Sequence, residues 1–571
     1  MESAASAVCR FRRLHGSPLC LGFSQELTNP GVLKAETDYM NPIWRVSALL
    51  ALSMLNCPAR AAAKDLPRRD SGEARTAQQM EQLRANPPAL HAFLLRMPKG
   101  ADLHMHLSGA VYAETFLQDA AEDRLCVDPV KLLLLPNIGL TKSLPAQAVC
   151  AEGTVPAAGA LKNQKLYDDL LDSFSMRAFV PSAGKSGHDQ FFATFARFGG
   201  INKSHLGEWV DEVATRAAAQ NEQYLELMHT PDFSVAARLA TQHPWEGDPA
   251  KLRVALLAAG LRDNLAADRA EIDAMEAGRK AREHCGTPEA APACQVEVRY
   301  LYQVLRAGEP ARVFAQTLLG FELASVDPRV VGINFVQPED TYLAMTQYRT
   351  QMAMLQYLRG VYPRVHLSLH AGELSPGMVP PEGLSFHIHD AVLQAGAERI
   401  GHGVDVLYET DATDLLQTMA QRHVMVEVNL TSNDVILGIR GKDHSLGSYL
   451  AAGVPVALST DDEGVSRIDL TREYERAVLE QGLTYAQLKS SARTSLEHAF
   501  LPGESLWAAP DSFSTMRREC AGAKPESPTA TCTAFLAGSE RGRQQWQLEL
   551  RLQKFETQGP KPRLNSKGEA H

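Results

Sequence analysis

Apolar residues in the second half of the chain come in short runs separated by amphipathic stretches. Val330-Val331-Gly332-Ile333-Asn334-Phe335-Val336 reads as one strand, Val365 to His370 as the next, and Arg399-Ile400-Gly401-His402-Gly403 as a third, preceded by the helix-like Ala391-Val392-Leu393-Gln394-Ala395. Val424 to Leu430 and Val454 to Asp461 read as two more strands, and the periodic segment Asp411 to Arg422 predicts a helix between His402 and Val424. Short apolar strands alternating with helical stretches mark parallel β/α units. An open doubly wound sheet shows the same alternation. Here polar groups end nearly every run instead of gathering at one switch point, which favours an α/β fold of the (β/α)8 TIM barrel type, with functional groups at the C-terminal ends of the strands.

One earlier run carries metal-ligand spacing. In Ala101-Asp102-Leu103-His104-Met105-His106-Leu107-Ser108-Gly109-Ala110 the two histidines lie two residues apart, so in a strand both imidazoles share a face. Two converging imidazoles suit a divalent transition metal and need further ligands from elsewhere. His370 and the pair Asp461-Asp462, each closing an apolar run, are of the right type. Taken alone, His370 and His402 could equally be core histidines bonded to carbonyls, and Asp461-Asp462 a pair at a helix N-terminus. His387-Ile388-His389 repeats the histidine spacing but opens a helical stretch from Asp390, where such side chains diverge, and it reads as a loop or helix cap. Gly184-Lys185-Ser186 resembles the end of a phosphate-binding loop, yet Phe179 replaces the required first glycine. Phe191, Phe192, Phe195 and Phe198 read as the buried stripe of a helix, with the mouth of a site as the alternative.

Taken in order, His104-x-His106, His370-Ala371-Gly372-Glu373, Arg399-Ile400-Gly401-His402-Gly403 and Ser459-Thr460-Asp461-Asp462 resemble the adenosine deaminase family of the metal-dependent amidohydrolase superfamily. Met97-Pro98-Lys99-Gly100 is more similar to its secreted, growth-factor-type branch than to the compact cytosolic enzymes. The resemblance runs from about Met97 to Arg467, with the stretch between Ala113 and Gly200 more like an insertion than a shared core. It implies that His104, His106, His370 and Asp461 bind one zinc ion and leave a place for water. Such an ion makes hydroxide available near neutral pH. Attack at C6 of adenine breaks the ring's aromaticity unless N1 takes a proton, and the resemblance makes Glu373 the donor. It further implies that His402 orients or deprotonates the attacking water, while Asp462 holds the water from the other side and accepts a hydrogen bond from the substrate. Gly372, without a Cβ, would let its backbone approach the purine. Two positions depart from the family pattern: Ser108 stands where the compact enzymes carry an acidic residue that holds the ribose 5'-hydroxyl, and Gln337 where they have a substrate-contacting glycine.

Two other metal chemistries drop out. A binuclear hydrolase of the phosphotriesterase kind wants a bridging lysine at the fourth strand, and Val330 to Val336 offers none; the Pro-Cys-x-x-Cys signature of cytidine-type deaminases is absent from the chain.

The 571 residues suffice for a barrel of about 250 residues with extensions. With 57 Lys and Arg against 67 Asp and Glu, a basic nucleic-acid-binding surface is not expected, and the resemblance implies a small purine nucleoside as the partner. A homodimer is left open. No apolar run reaches the roughly 20 residues that span a bilayer. Trp44-Arg45, the apolar run Val46 to Leu55 and the A-x-A-like end Ala59 to Ala63 have the layout of a secretory signal peptide at 40–63. Translation is then expected to begin at Met40, leaving 1–39 untranslated or disordered, and the mature chain near Lys64 in the periplasm or outside the cell. Cys57 as a lipid acceptor is the weaker alternative, since Leu55-Asn56-Cys57 is a poor lipobox. The expected layout continues with an N-terminal helical extension at 64–96, a deaminase barrel at 97–510 with its insertion at about 113–200, and a C-terminal extension at 511–571. The Pro-, Lys- and Arg-rich tail from Gly559 is expected to be disordered.

Beyond the signal region lie six cysteines. Sequence proximity favours Cys126 with Cys150, Cys285 with Cys294 and Cys520 with Cys532, and an oxidising compartment would let these pairs persist. The growth-factor-type branch carries a disulfide in the insertion, where Cys126 and Cys150 fall.

The expected function is zinc-dependent hydrolysis of adenosine and 2'-deoxyadenosine to the inosine nucleoside and ammonia. The alternatives are an amidohydrolase acting on another aminopurine or a 5'-modified nucleoside, and a growth-factor-like binding protein with a vestigial site. A binding module has no need of Glu373 and His402 together, which argues against the last.

Overall fold

The apolar runs become eight parallel strands that pair in chain order: β1 (Gly100–His106), β2 (Glu222–His229), β3 (Glu297–Leu305), β4 (Val330–Val336), β5 (His366–Ala371), β6 (Arg399–His402), β7 (Met425–Val428) and β8 (Val456–Leu458). The computed structural model describes residues 71–137 and 149–558. The signal-like segment 40–63, the start at Met40 and the tail from Gly559 lie outside the described residues.

The sheet rolls into a barrel because its first and last strands meet. Met105 bridges Asp461, with His106 N donating to Asp461 O at 3.2 Å and Asp461 N donating to His104 O at 2.8 Å. Asp102 strengthens the seam: its carboxylate accepts from Thr460 N at 3.0 Å, from Thr460 Oγ1 at 2.7 Å and from His104 N at 3.1 Å. A charged layer crosses the interior, where fully buried Arg399 pairs with Glu226 at 2.6 Å and with Glu427 at 2.7 Å. Buried charges are retained when paired in this way.

Two local expectations change. The run Val424 to Leu430 shortens to β7 because Leu430 begins the helix Leu430–Leu437. Ala391–Ala395 is a π-helical turn that continues the short helix His387–Asp390 and stops at Gly396, whose φ of 74° is a left-handed terminus.

Between β1 and β2 the chain builds a satellite. It contains the helices Ala113–Glu122, Gln164–Phe174 and Gly187–Arg197 and a three-stranded antiparallel sheet with Cys126–Asp128 between Leu133–Leu135 and Val155–Pro156. Its own apolar cluster includes Phe116, Phe174, Phe191 and Phe198. Gly187 lets the last helix lie against Leu430–Leu437, since a Cβ there would sit 1.7 Å from Val435 O. At the opposite end of the barrel, Leu548 and Leu552 of the helix Glu540–Gln558 pack with Ala101, Leu103, Met425 and Ala457. Lys489 ties that helix to the N-terminal helix Gly72–Leu83 through Glu556 at 2.6 Å and Glu73 at 2.8 Å.

Cys126–Cys150, Cys285–Cys294 and Cys520–Cys532 are disulfide-bonded, with Cα separations of 5.7, 5.6 and 4.5 Å. The oxidised protein is therefore expected to show no free thiol at these six positions by intact mass with and without reduction. Six alkylatable thiols in protein from its native host would overturn the pairing.

Candidate metal centre and active site

Strand geometry brings His104 and His106 to one face of β1, and β5 places His370 opposite them. The Nε2 atoms of His104 and His370 lie 3.1 Å apart, and those of His106 and His370 3.2 Å. Asp461, just beyond β8, sets Oδ1 3.1 Å from His106 Nε2 and 3.6 Å from His104 Nε2. The barrel seam itself delivers Asp461 to this point.

Hydrogen bonds at the far side of each ring decide what those nitrogens present. His370 Nδ1 donates to Asn334 Oδ1 at 2.7 Å, and the orientation of that amide is set because the same oxygen accepts from His370 N. His106 Nδ1 donates to Gln303 Oε1 at 2.6 Å, the amide nitrogen of Gln303 being turned to Thr230. His104 Nδ1 donates to the Glu427 carboxylate at 2.6 Å. A neutral imidazole has one donor and one acceptor nitrogen. With all three rings neutral, as metal ligation requires, the Nε2 atoms present lone pairs to one another and to a carboxylate oxygen, an arrangement that repels itself unless a cation lies between. Without a metal that cation is a proton, since against burial the Asp461 and Glu427 carboxylates raise His104 to about 10. Buried imidazoles with carboxylate or amide partners on their outer nitrogens are the donor set of a zinc site. The residues fit the group.

Around this point stand the remaining candidates, Glu373, His402 and Asp462. Glu373 lies two positions past the end of β5 and lines the cavity; burial, reinforced by the charge of Asp461, pushes its carboxyl well above the usual range, so it keeps a proton. His402 ends β6 fully buried, with Nε2 3.7 Å from Glu373 Oε1 and 3.8 Å from Asp461 Oδ2. Burial pulls its pKa down to about 3, so the ring is neutral. Asp462 is raised by burial and by its neighbour Asp461, and its Oδ1 has no hydrogen-bond partner. Its side chain lies over Gly109, where a Cβ would come within 1.4 Å of Oδ1. His402 and Asp461 hold φ of 69° and 63°, a conformation that costs energy for residues other than glycine and that clusters at functional sites.

The cavity in front of these groups measures about 380 Å³, within the range of small-molecule sites. Ser108 and Gln337 both line it, as do Phe191, Phe192 and Phe195. The phenylalanine run thus divides: Phe198 is buried on Phe116 with ring centroids 4.4 Å apart, Phe191 is buried in the same cluster while touching the cavity wall, and Phe192 and Phe195 are partly exposed at the opening. Gln337 does not offer a free side chain, since its Oε1 accepts from Ala307 N at 2.9 Å, and its φ of 86° marks the place where glycine would be unstrained. Gly372 has a second, packing reason to be glycine. It does not line the cavity, and a Cβ there would meet Asp405 Oδ1 at 2.3 Å and Ile388 at 2.7 Å; packing behind the site and a φ of 72° require the glycine.

Several residues of the site were not singled out from the chain. Asn334 and Glu427 each interrupt an otherwise apolar strand, a signal that could have marked them. Gln303 carried none. Glu339 accepts from Gly372 N at 3.2 Å and Glu373 N at 2.8 Å, fixing the loop that carries Glu373. The same carboxylate binds His387, which opens a helix as expected but is fully buried and stacked on Tyr348 with centroids 3.9 Å apart.

The adenosine deaminase family model matches residues 203–509, more than half of the chain. The chain belongs to the adenosine deaminase family. The matched segment includes His370, Glu373, His402, Asp461 and Asp462; His104 and His106 precede it and join the site through the fold. The adenosine deaminase of Salmonella dublin is 36% identical over 137 residues, 24% of this chain and 38% of the relative. That of Escherichia coli is 34% identical over 140 residues, 24% of this chain and 39% of the relative. The chain thus matches well under half the length of these family members. The solved N6-methyl-AMP deaminase of Arabidopsis thaliana is 20% identical, with 72% of this chain and 94% of that one covered at a TM-score of 0.45.

Proposed function

We propose that this family member hydrolyses adenosine, and 2'-deoxyadenosine, to the inosine nucleoside and ammonia with one zinc ion per chain. The convergence of three imidazole lone pairs and the Asp461 carboxylate beside a protonated Glu373 carries the reading. When bound, zinc supplies Lewis acidity that makes hydroxide available near neutral pH. The protein's own groups do the rest. Glu373 delivers its proton to N1 of the purine as C6 is attacked, the barrel wall keeps the acid buried, and His402 and Asp462 hold the attacking water from two sides. Proton transfer by a positioned side chain contributes about 100- to 10,000-fold.

The cavity supports a nucleoside over a nucleotide. Among the described residues lining it there is no Lys or Arg, whereas Glu373, Asp461 and Asp462 put carboxyl groups on its wall. Phosphate recognition relies on cationic donors. Ser108 and the three phenylalanines favour tolerance of apolar 5'-substituents, because an uncharged hydroxyl holds a 5'-hydroxyl less strongly than a carboxylate would. Export belongs to the same proposal, supported by the three disulfides, which persist in oxidising compartments.

Absorbance and ammonia release on a nucleoside panel with zinc-loaded protein test the activity: adenosine is expected to turn over and AMP not, and no ammonia from any aminopurine nucleoside would sink the reading. Ser108→Asp should raise kcat/KM for adenosine relative to 5'-deoxyadenosine and 5'-methylthioadenosine. An unchanged ratio would show that Ser108 does not face the 5'-position.

A further inference from the structure

His402 reaches the site with Nε2 unpartnered in the structure, and whether that nitrogen carries a proton decides what it can do to the attacking water. The answer can be traced from a donor that has no alternative. The helix Leu446–Ala452 begins with Leu446, whose backbone N–H lies in the first turn, where no carbonyl of the helix can accept it. It donates instead to His444 Nδ1 at 3.0 Å. An imidazole that accepts at Nδ1 carries its proton on Nε2. His444 Nε2 is therefore a donor, and it lies 3.0 Å from Asn433 Oδ1. With that oxygen turned to His444, the Asn433 amide nitrogen faces His402 Nδ1 at 2.9 Å and donates to it. The reverse amide orientation would set donor against donor at His444.

We propose that His444, acting through Asn433, is a positioning residue that holds His402 in its Nε2-protonated tautomer. His402 then gives a hydrogen bond to the attacking oxygen. It cannot take a proton there, because its one lone pair lies on Nδ1, on the far side of the ring and already bonded to Asn433. An imidazolium at His402 is excluded by the same contact, since Nδ1–H would oppose the Asn433 amide. Burial supports the neutral form of His444, pulling its pKa to about 4 with Arg476 adding to the effect. Neither His444 nor Asn433 lines the cavity, so the relay acts only through His402. Its mechanistic weight rests on the deaminase reading, but the tautomer itself does not.

Two measurements test the relay. Long-range 1H–15N NMR of protein labelled on its histidines, with and without added Zn2+ and with His402 assigned through His402→Gln, is expected to show His402 protonated on Nε2 alone. Kinetics of the zinc-loaded enzyme supply the second. A partner bonded directly to a metal ligand is typically worth about 10- to 100-fold; His444 acts one residue further back, so His444→Leu should lower kcat by up to about 10-fold with KM little changed. His444→Gln, whose amide can accept from Leu446 N and donate to Asn433, should recover most of it. Nδ1 protonation of His402 in the wild type, or equal kcat in the Leu and Gln variants, would overturn the proposal. Absence of ammonia release by the wild-type enzyme would instead strike the deaminase reading and leave the NMR result legible.

Discussion

Glu373→Gln is expected to keep its zinc and lose about 100- to 10,000-fold of its turnover, the usual worth of a positioned proton donor. The substitution conserves shape, and the loop that carries it stays anchored because Glu339 binds the backbone N–H groups of residues 372 and 373. What changes is the proton. Burial and the neighbouring Asp461 hold the Glu373 carboxyl in its protonated form, and an amide at the same place can donate a hydrogen bond but cannot give up a proton to the purine. Metal analysis beside steady-state kinetics checks both halves, and near-normal turnover would show that another group protonates the ring.

Loss of the metal is the second large effect. His370 stands between the other two imidazoles, so His370→Ala should take bound zinc well below one per chain and abolish deamination. Asn334→Ala should act more mildly, by about 10- to 100-fold in metal affinity or activity, because it removes only the partner that orients the His370 ring. Zinc titration followed by mass spectrometry of the metal content separates the two. If His370→Ala bound one zinc as tightly as the wild type, the convergence of Nε2 atoms would not be the metal site.

The sequence by itself determined the alternation of strands and helices and the positions where polar groups close the apolar runs. Those features are local: a strand shows its period within a few residues, and a ligand pair two apart on a strand must share a face. The pair His104 and His106, and His370, Asp461 and Asp462 at the ends of apolar runs, were legible for that reason, as was the pairing of cysteines close in the chain, whereas Glu373 and His402 were picked out by the resemblance to the deaminase family. Polar groups ending nearly every run already favoured a closed barrel, but the seam that closes it, the bridge from Met105 to Asp461, joins residues from opposite ends of the domain and only the tertiary structure shows it. Tertiary structure also decided which nitrogen of each ring is free. That choice belongs to Asn334, Gln303, Glu427 and the relay from His444; a polar residue inside an apolar strand could mark Asn334 and Glu427 as buried partners, but which ring each one faces is set by other strands and loops. Gly372 shows the same limit from the other side: its need for a bare Cα comes from Asp405 and Ile388 packed behind it, neighbours that only the closed barrel brings together.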